Sequence, residues 1–99
     1  MVKHIVLFKL KEEVPAEKKL EAMNAFKQAI EALPAKIPFI RKVEVGLNMN
    51  PGEAWHIALY SEFDTLDDVK AYSTHPDHVA AAALLAGVKE GRACVDYEA

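Results

Sequence analysis

Hydrophobic residues recur along the chain with a period of two in some segments and of three to four in others. Residues 2–10 alternate with apolar side chains on both faces, which is typical of a strand in the middle of a sheet. Residues 39–49 alternate between a mostly apolar and a mostly polar face, which favours an edge strand. Two further strands are predicted over residues 55–63 and 91–98.

Two helical regions separate these strands. The first lies between the prolines at positions 15 and 34, because its apolar residues recur at helical spacing there. The second begins at Thr65, which with Asp68 forms a start resembling a capping box. Pro76 disfavours helical backbone at the residue before it, so this region is predicted to break at His75 and then resume.

The resulting element order is β-α-β-β-α-β, which is typical of the ferredoxin-like α+β fold with an antiparallel four-stranded sheet. Residues 1–99 are expected to form one domain, with strands one and three in the middle and both helical regions on one face. The other face would be bare, and the side chains predicted for it are Ile5, Leu7, Trp55, Ile57, Leu59 and Phe63. Such a face marks an interface, so we expect a homodimer in which two sheets pack together.

Composition sharpens this picture. The chain has 99 residues, of which 52% are hydrophobic, a surplus that a second copy would cover. The net charge is −3, so nucleic acid is not an expected partner. No apolar run has the length of a membrane span, and the strand-like N-terminus lacks a cleavage site, so we expect a cytoplasmic protein with no membrane partner. Cys94 stands alone and is interpreted as a small buried strand residue.

Three histidines and one tyrosine are the candidate residues for a functional site. If strands one and three are parallel neighbours, His4 and His56 lie near the same end of the sheet, under the helices. His78, in the first turn of the last helix, and Tyr72 would join them there. Helix-end charge and burial both favour a neutral imidazole at His78, which suits a general base. Tyr72 would donate a hydrogen bond to a carbonyl oxygen. In the alternative interpretation, His78 caps backbone groups and Tyr72 is a core residue whose hydroxyl lies at the surface.

Four segments of the chain carry a resemblance to a known family: MVKHIVLFKLK, WHIALYSEF, AYSTHPDHV and VDYE. Together they resemble the stress-responsive dimeric α/β-barrel (Dabb) family over essentially the whole chain. The resemblance implies a ferredoxin-like protomer whose sheet joins that of a second protomer in a barrel.

The four polar positions also resemble those of olivetolic acid cyclase-type members, which close a linear polyketide thioester by aldol condensation without a cofactor. The resemblance implies that His78 and Tyr72 are a catalytic pair and that His4 and His56 bind substrate. Residues 80–83 are all alanine here, where the cyclase has glycine and larger residues. The substrate therefore does not carry over beyond a small carbonyl compound.

Two alternatives stand beside acid–base chemistry. His75 and His78, three positions apart, have the spacing of metal ligands, but the break at Pro76 separates them and no motif supplies a third ligand, so no metal and no cofactor are predicted. The other alternative is a non-catalytic stress-responsive structural or assembly module, and the sequence does not decide whether the protein is an enzyme. Asp67 and Asp68 are interpreted as helix-start residues and His75 as an N-cap.

Overall fold

A computed structural model describes residues 1–99. It contains four strands, β1 (Val2–Leu10), β2 (Lys42–Leu47), β3 (Ile57–Phe63) and β4 (Lys89–Glu98). Its helices are α1 (Ala16–Glu31), α2 (Leu66–Thr74) and α3 (Pro76–Ala82), and short 3₁₀ turns over Leu33–Ala35 and Ala83–Leu85 follow α1 and α3. None of the helices is both long and apolar enough to cross a membrane; the cytoplasmic location stays a prediction.

The sheet has the order β2-β3-β1-β4, and every neighbouring pair of strands is antiparallel. The ferredoxin-like fold class is therefore confirmed, as are the central places of β1 and β3 and the edge place of β2. The pairing of β2 continues one residue beyond each end, through Arg41 N–H to Glu62 and Asn48 N–H to His56. This explains why the predicted strand was longer than the observed one.

Antiparallel pairing corrects one expectation. A helix returns the chain from β1 to β2, and a hairpin then reverses it into β3, so β1 and β3 run in opposite directions. Val2 pairs with Phe63 and Phe8 with Ile57. His4, near the start of β1, and His56, just before β3, therefore lie at opposite ends of the sheet. The expectation that they share an end is wrong.

The faces of β3 are also the reverse of those expected. Residues paired across antiparallel strands share a face, and Val6 pairs with Leu59 while Leu7 pairs with Ala58. Val6 and Leu59 are buried under the helices, together with Ile57 and Phe63. The three residues of β3 predicted for the bare face are in the core, because the more apolar side of the strand faces the helices.

The bare face is built from side chains of β1, β3 and β4. Ile5 lies between Tyr60 and Val95, and Leu7 lies between Ala58 and Ala93. Trp55 lines a depression of about 450 Å³ beside Leu7 and Ala58, so its predicted place on this side is correct. Val95 and Tyr97 are 52% and 43% exposed. No element of the protomer covers this surface.

The second helical region breaks where predicted. Thr65 Oγ1 accepts the N–H of Asp68 at 3.1 Å and starts α2. His75 has extended backbone, and its Nδ1 accepts the N–H of Asp77 at 3.1 Å, which makes it the N-cap of α3. Cys94 corrects another expectation: it lies on β4 but is exposed, because the helices do not extend over that edge strand.

Candidate acid–base site between the helices and the sheet

The break at Pro76 brings two rings together. Tyr72 lies in the last turn of α2 and His78 in the first turn of α3, and their ring centroids are 4.3 Å apart. The ring of His4, from β1, lies 6.1 Å from that of Tyr72 with an edge-on orientation. Three of the four predicted site residues therefore meet between the helices and the sheet.

His56 does not join them. Its Nδ1 accepts the backbone N–H of Leu10 at 3.0 Å, at the far end of the sheet. It lines a separate surface pocket that also contains Lys9 and Lys19. Burial and these two lysines lower the pKa of His56. The predicted convergence of four rings is wrong for this residue.

The tautomer of His78 follows from the helix break. The Asp77 N–H is taken by the side chain of His75, so the carbonyl of Ser73 has no partner in its own helix. His78 Nδ1 lies 3.1 Å from that oxygen. Since a carbonyl only accepts, Nδ1 carries the proton and Nε2 has the free lone pair.

The environment of His78 also favours the neutral ring. Burial is the main cause that lowers its pKa, and electrostatic repulsion from His4, Arg92 and His75 acts in the same direction. The Ser73 carbonyl opposes them by stabilising the protonated ring. A half-buried imidazole that is neutral at pH 7 and holds a free Nε2 has the properties of a general base.

Tyr72 is the most unusual group in the site. Its side chain is fully buried, and its hydroxyl has no hydrogen-bond partner among the other groups of the protomer. Burial raises the pKa of this hydroxyl far above its ordinary value, so it stays protonated and able to donate. An unsatisfied buried hydroxyl costs about 1–3 kcal/mol. The protein carries this cost in a residue whose ring lies against that of His78.

Asp96 is a site residue that the sequence analysis missed. It lies opposite His4 on β4, and its carboxylate accepts a hydrogen bond from His4 Nδ1. This contact fixes the ring of His4, which is 4% exposed. The signal available in the sequence was alternation along β4, which places Cys94 and Asp96 on the same side of the strand.

A small cavity of about 70 Å³ lies beside His4 and His78, and Tyr72 is not among the residues that line it. It has room for about two water-sized groups. Its polar lining comprises Ser73, His4, His78, Lys89 and Arg92. The apolar lining includes Ala82, in line with the alanine-rich segment expected to pack close to the sheet. Two cationic side chains at such a cavity favour an oxygen that carries or develops negative charge.

Comparison with known proteins supports the fold and confirms the family that the chain was found to resemble. The profile of the stress-responsive A/B barrel domain (Dabb) matches residues 2–99. An uncharacterized protein of Streptomyces coelicolor is 34% identical over 85 residues, which are 85% of this chain and 86% of that protein.

Solved structures agree with the architecture. A dimeric ferredoxin-like protein of unknown function from Bacteroides fragilis is 74% identical, with a TM-score of 0.98 over 99% of this chain and 95% of that one. A dimeric ferredoxin-like protein of unknown function from Thermobifida fusca is 27% identical, with a TM-score of 0.77 over 99% and 90% of the two chains. A hydroxynitrile lyase from Passiflora edulis, 17% identical with a TM-score of 0.68 over 97% and 90%, shares the fold alone.

The hydrogen bonds of three histidines predict their tautomers. At neutral pH we expect His78 to be protonated at Nδ1, and His56 and His75 at Nε2, because their Nδ1 atoms accept backbone N–H groups. Long-range ¹H–¹⁵N correlation spectra distinguish the two forms. The same spectra followed with pH should give His78 a pKa below its ordinary value, so that its ring protonates only on acidification. An Nε2-protonated His78 would contradict the assignment of its free nitrogen.

The Tyr72 hydroxyl, which has no partner in the protomer, predicts a stabilising substitution. Tyr72→Phe should raise the free energy of unfolding of the ligand-free protein by about 1 kcal/mol, because it removes an unsatisfied buried group. Urea denaturation measures this. Tyr60→Phe is the control, since the Tyr60 hydroxyl donates to Glu62 and its loss should give no gain. A destabilised Tyr72→Phe would mean that the hydroxyl has a partner in the folded protein.

Proposed function

The chain belongs to the stress-responsive A/B barrel domain (Dabb) family, and from this premise we propose that it is a homodimer that binds a small carbonyl compound between its helices and its sheet and catalyses cofactor-free acid–base chemistry on it. One observation carries the proposal. A neutral imidazole with a free Nε2 lies against a buried tyrosine whose hydroxyl has no partner. These two groups are complementary to the two changes that enolisation requires, loss of a proton from carbon and gain of negative charge on oxygen.

In the proposed reaction, His78 Nε2 takes a proton from the carbon next to the carbonyl. The electron pair of that C–H bond moves into the new C=C bond, and the carbonyl oxygen becomes an enolate oxygen. Lys89 and Arg92 line the cavity, and their charges stabilise that oxygen. In this proposal the entering ligand uncovers the Tyr72 hydroxyl, which does not line the cavity of the ligand-free protein, and Tyr72 then donates a hydrogen bond to the same oxygen. The Ser73 carbonyl supports the imidazolium that forms at His78. His4, held by Asp96, lines the cavity as a binding residue.

Cavity size narrows the substrate class. Room for about two water-sized groups admits a carbonyl group and an adjacent methyl or methylene carbon, and little more. We therefore propose a small methyl ketone, or the acetyl-like end of a longer acyl chain, as the group that enters. The aldol-type cyclisation implied by the olivetolic acid cyclase-type resemblance is the larger reaction of which this proton transfer would be the first step. His56 has no role in this proposal, because it lies at the other end of the sheet.

A second candidate function is a structural or assembly module without chemistry. The observation that favours it is the bare sheet face, where Val95 and Tyr97 remain about half exposed in the protomer. Relatives of 74% and 27% identity are described as dimeric. Packing this face against that of a second copy would bury it and close the barrel. Both candidates share the dimer, and they differ in whether His78 and Tyr72 act on a ligand.

Carbon-bound hydrogen exchange tests the chemistry. We expect the protein to accelerate deuterium incorporation into acetone and into an acetoacetyl thioester in D₂O buffer that contains a chelator, followed by NMR. His78→Asn should reduce the protein-dependent rate by at least about 100-fold, because it removes the base. Tyr72→Phe should lower the rate without lowering stability.

His56→Asn is the matched control for that measurement. It removes a second histidine of lowered pKa from the same protein, and the rate should not change because His56 lies outside the cluster. A wild-type rate equal to that of buffer, or an undiminished rate in His78→Asn, would reject the acid–base function and leave the assembly module.

Sedimentation tests the dimer. The wild-type protein should sediment as a dimer and Val95→Glu as a monomer, because the new carboxylate would be buried without a partner in the interface. Val79→Glu, at a residue of α3 that is 54% exposed against 52% for Val95, should remain a dimer. A monomeric wild-type protein, or an equal effect of the two substitutions, would contradict the assignment of the bare face.

A further inference from the structure

Three potential metal ligands of different chemistry meet at the edge of the sheet. They are His4 Nδ1 on β1 and the side chains of Cys94 and Asp96 on β4, and one ligand atom from each lies within 4.8 Å of the others. Cys94 Sγ lies 3.6 Å from His4 Nδ1 and 4.0 Å from Asp96 Oδ2. The sequence analysis considered a different pair, His75 and His78, and found no third ligand for it.

Strand register explains this cluster. His4 is directly opposite Asp96, and Cys94, two residues away on β4, points to the same side because side chains alternate. Two hydrogen-bonded strands therefore hold all three groups, which fixes them more precisely than a loop would. The cluster is accessible, since Asp96 keeps 31% of its side-chain surface and Cys94 is exposed, while His4 is buried behind them.

We propose that His4, Cys94 and Asp96 bind a zinc ion, with a water molecule as the fourth ligand. The proposal does not depend on the proposed function.

One of the three ligand distances already fits this ion. In tetrahedral zinc sites, bonds of about 2.3 Å to sulfur and about 2.0–2.1 Å to nitrogen place the two ligand atoms roughly 3.6 Å apart, as His4 and Cys94 are here. Zinc between His4 and Asp96 would replace the hydrogen bond that now joins them, and the two groups would have to move apart to admit the ion. A nitrogen, a thiolate sulfur and a carboxylate oxygen are the donors that zinc prefers, and two of them carry the negative charge that offsets the ion.

Zinc binding requires the thiol of Cys94 to be deprotonated, and the charges around it affect how readily this occurs. The thiol must lose its proton to solvent when the metal binds. Burial and Asp96 oppose this by raising the pKa of Cys94, while Arg92 favours the thiolate. Zinc removes the opposition from Asp96, because that carboxylate then faces a divalent cation in place of a like charge.

Cobalt is the probe for this site, because Co²⁺ takes the same tetrahedral ligands and absorbs light. The 99-residue chain without a histidine tag, stripped with a chelator, is titrated with Co²⁺. We expect one Co²⁺ per chain, a thiolate-to-cobalt band in the near ultraviolet and visible bands of tetrahedral strength, all removed by added Zn²⁺. A wild-type protein without these bands would overturn the proposal.

Variants of the exposed ligands identify the site, with circular dichroism as the check on folding. Cys94→Ser should abolish the near-ultraviolet band. Asp96→Asn should weaken Co²⁺ binding by at least the roughly 10–100-fold that follows loss of an outer-shell partner. Asp77→Asn, at a carboxylate on α3, is the control and should leave the titration unchanged. A band that persists in Cys94→Ser, or an equal loss in Asp77→Asn, would overturn the assignment. Because the exchange assay above contains a chelator, failure of either proposal leaves the other testable.

Discussion

Antiparallel pairing of β1 with a strand on each side is the constraint on which the rest of the molecule depends. It fixes which side chains lie under the helices and which lie on the bare face, because residues paired across antiparallel strands share a face. His4 is buried with Ser61 on one side and Asp96 on the other for this reason. A slip of one residue would exchange it for Ile5 and would expose the whole apolar set of β1 that now forms the core. The site and the core thus share one register.

The helix break at Pro76 positions the two site residues that the helices contribute, Tyr72 and His78. Pro76 ends α2, and His75 then caps α3 by taking the N–H of Asp77. That N–H would have bonded to the Ser73 carbonyl in a continuous helix, so the break leaves this oxygen free for His78. The same break turns the first residues of α3 back over Tyr72. The orientation of the candidate base is therefore a consequence of local backbone chemistry, and needs no long-range contact.

Features set by neighbouring residues could be predicted from the sequence, whereas features set by strand pairing could not. The cap at Thr65, the break at His75 and the edge place of β2 depend on neighbouring residues, and all three are confirmed. The direction and faces of β3 depend on how the hairpin reverses the chain, which alternation alone does not reveal. The place of His56 was wrong for that reason. Asp96 was missed because its role comes from a partner far along the chain, and the orphan state of the Tyr72 hydroxyl is visible only once the core is packed.

One face of β1 lies on the bare side of the sheet and the other lies under the helices. This separation helps to distinguish a catalytic function from an assembly function. Ile5 and Leu7 face the bare side, so an assembly function needs them and makes no demand on the helix side. A purely structural helix side would favour a core of satisfied groups, since an unpartnered buried hydroxyl costs about 1–3 kcal/mol. Tyr72 carries that cost at full burial, although its ring would fill the same space without the oxygen. Packing within the protomer gives this oxygen no partner, whereas the ligand oxygen of the proposed reaction would be one, and this difference favours the proposed chemistry over the assembly module.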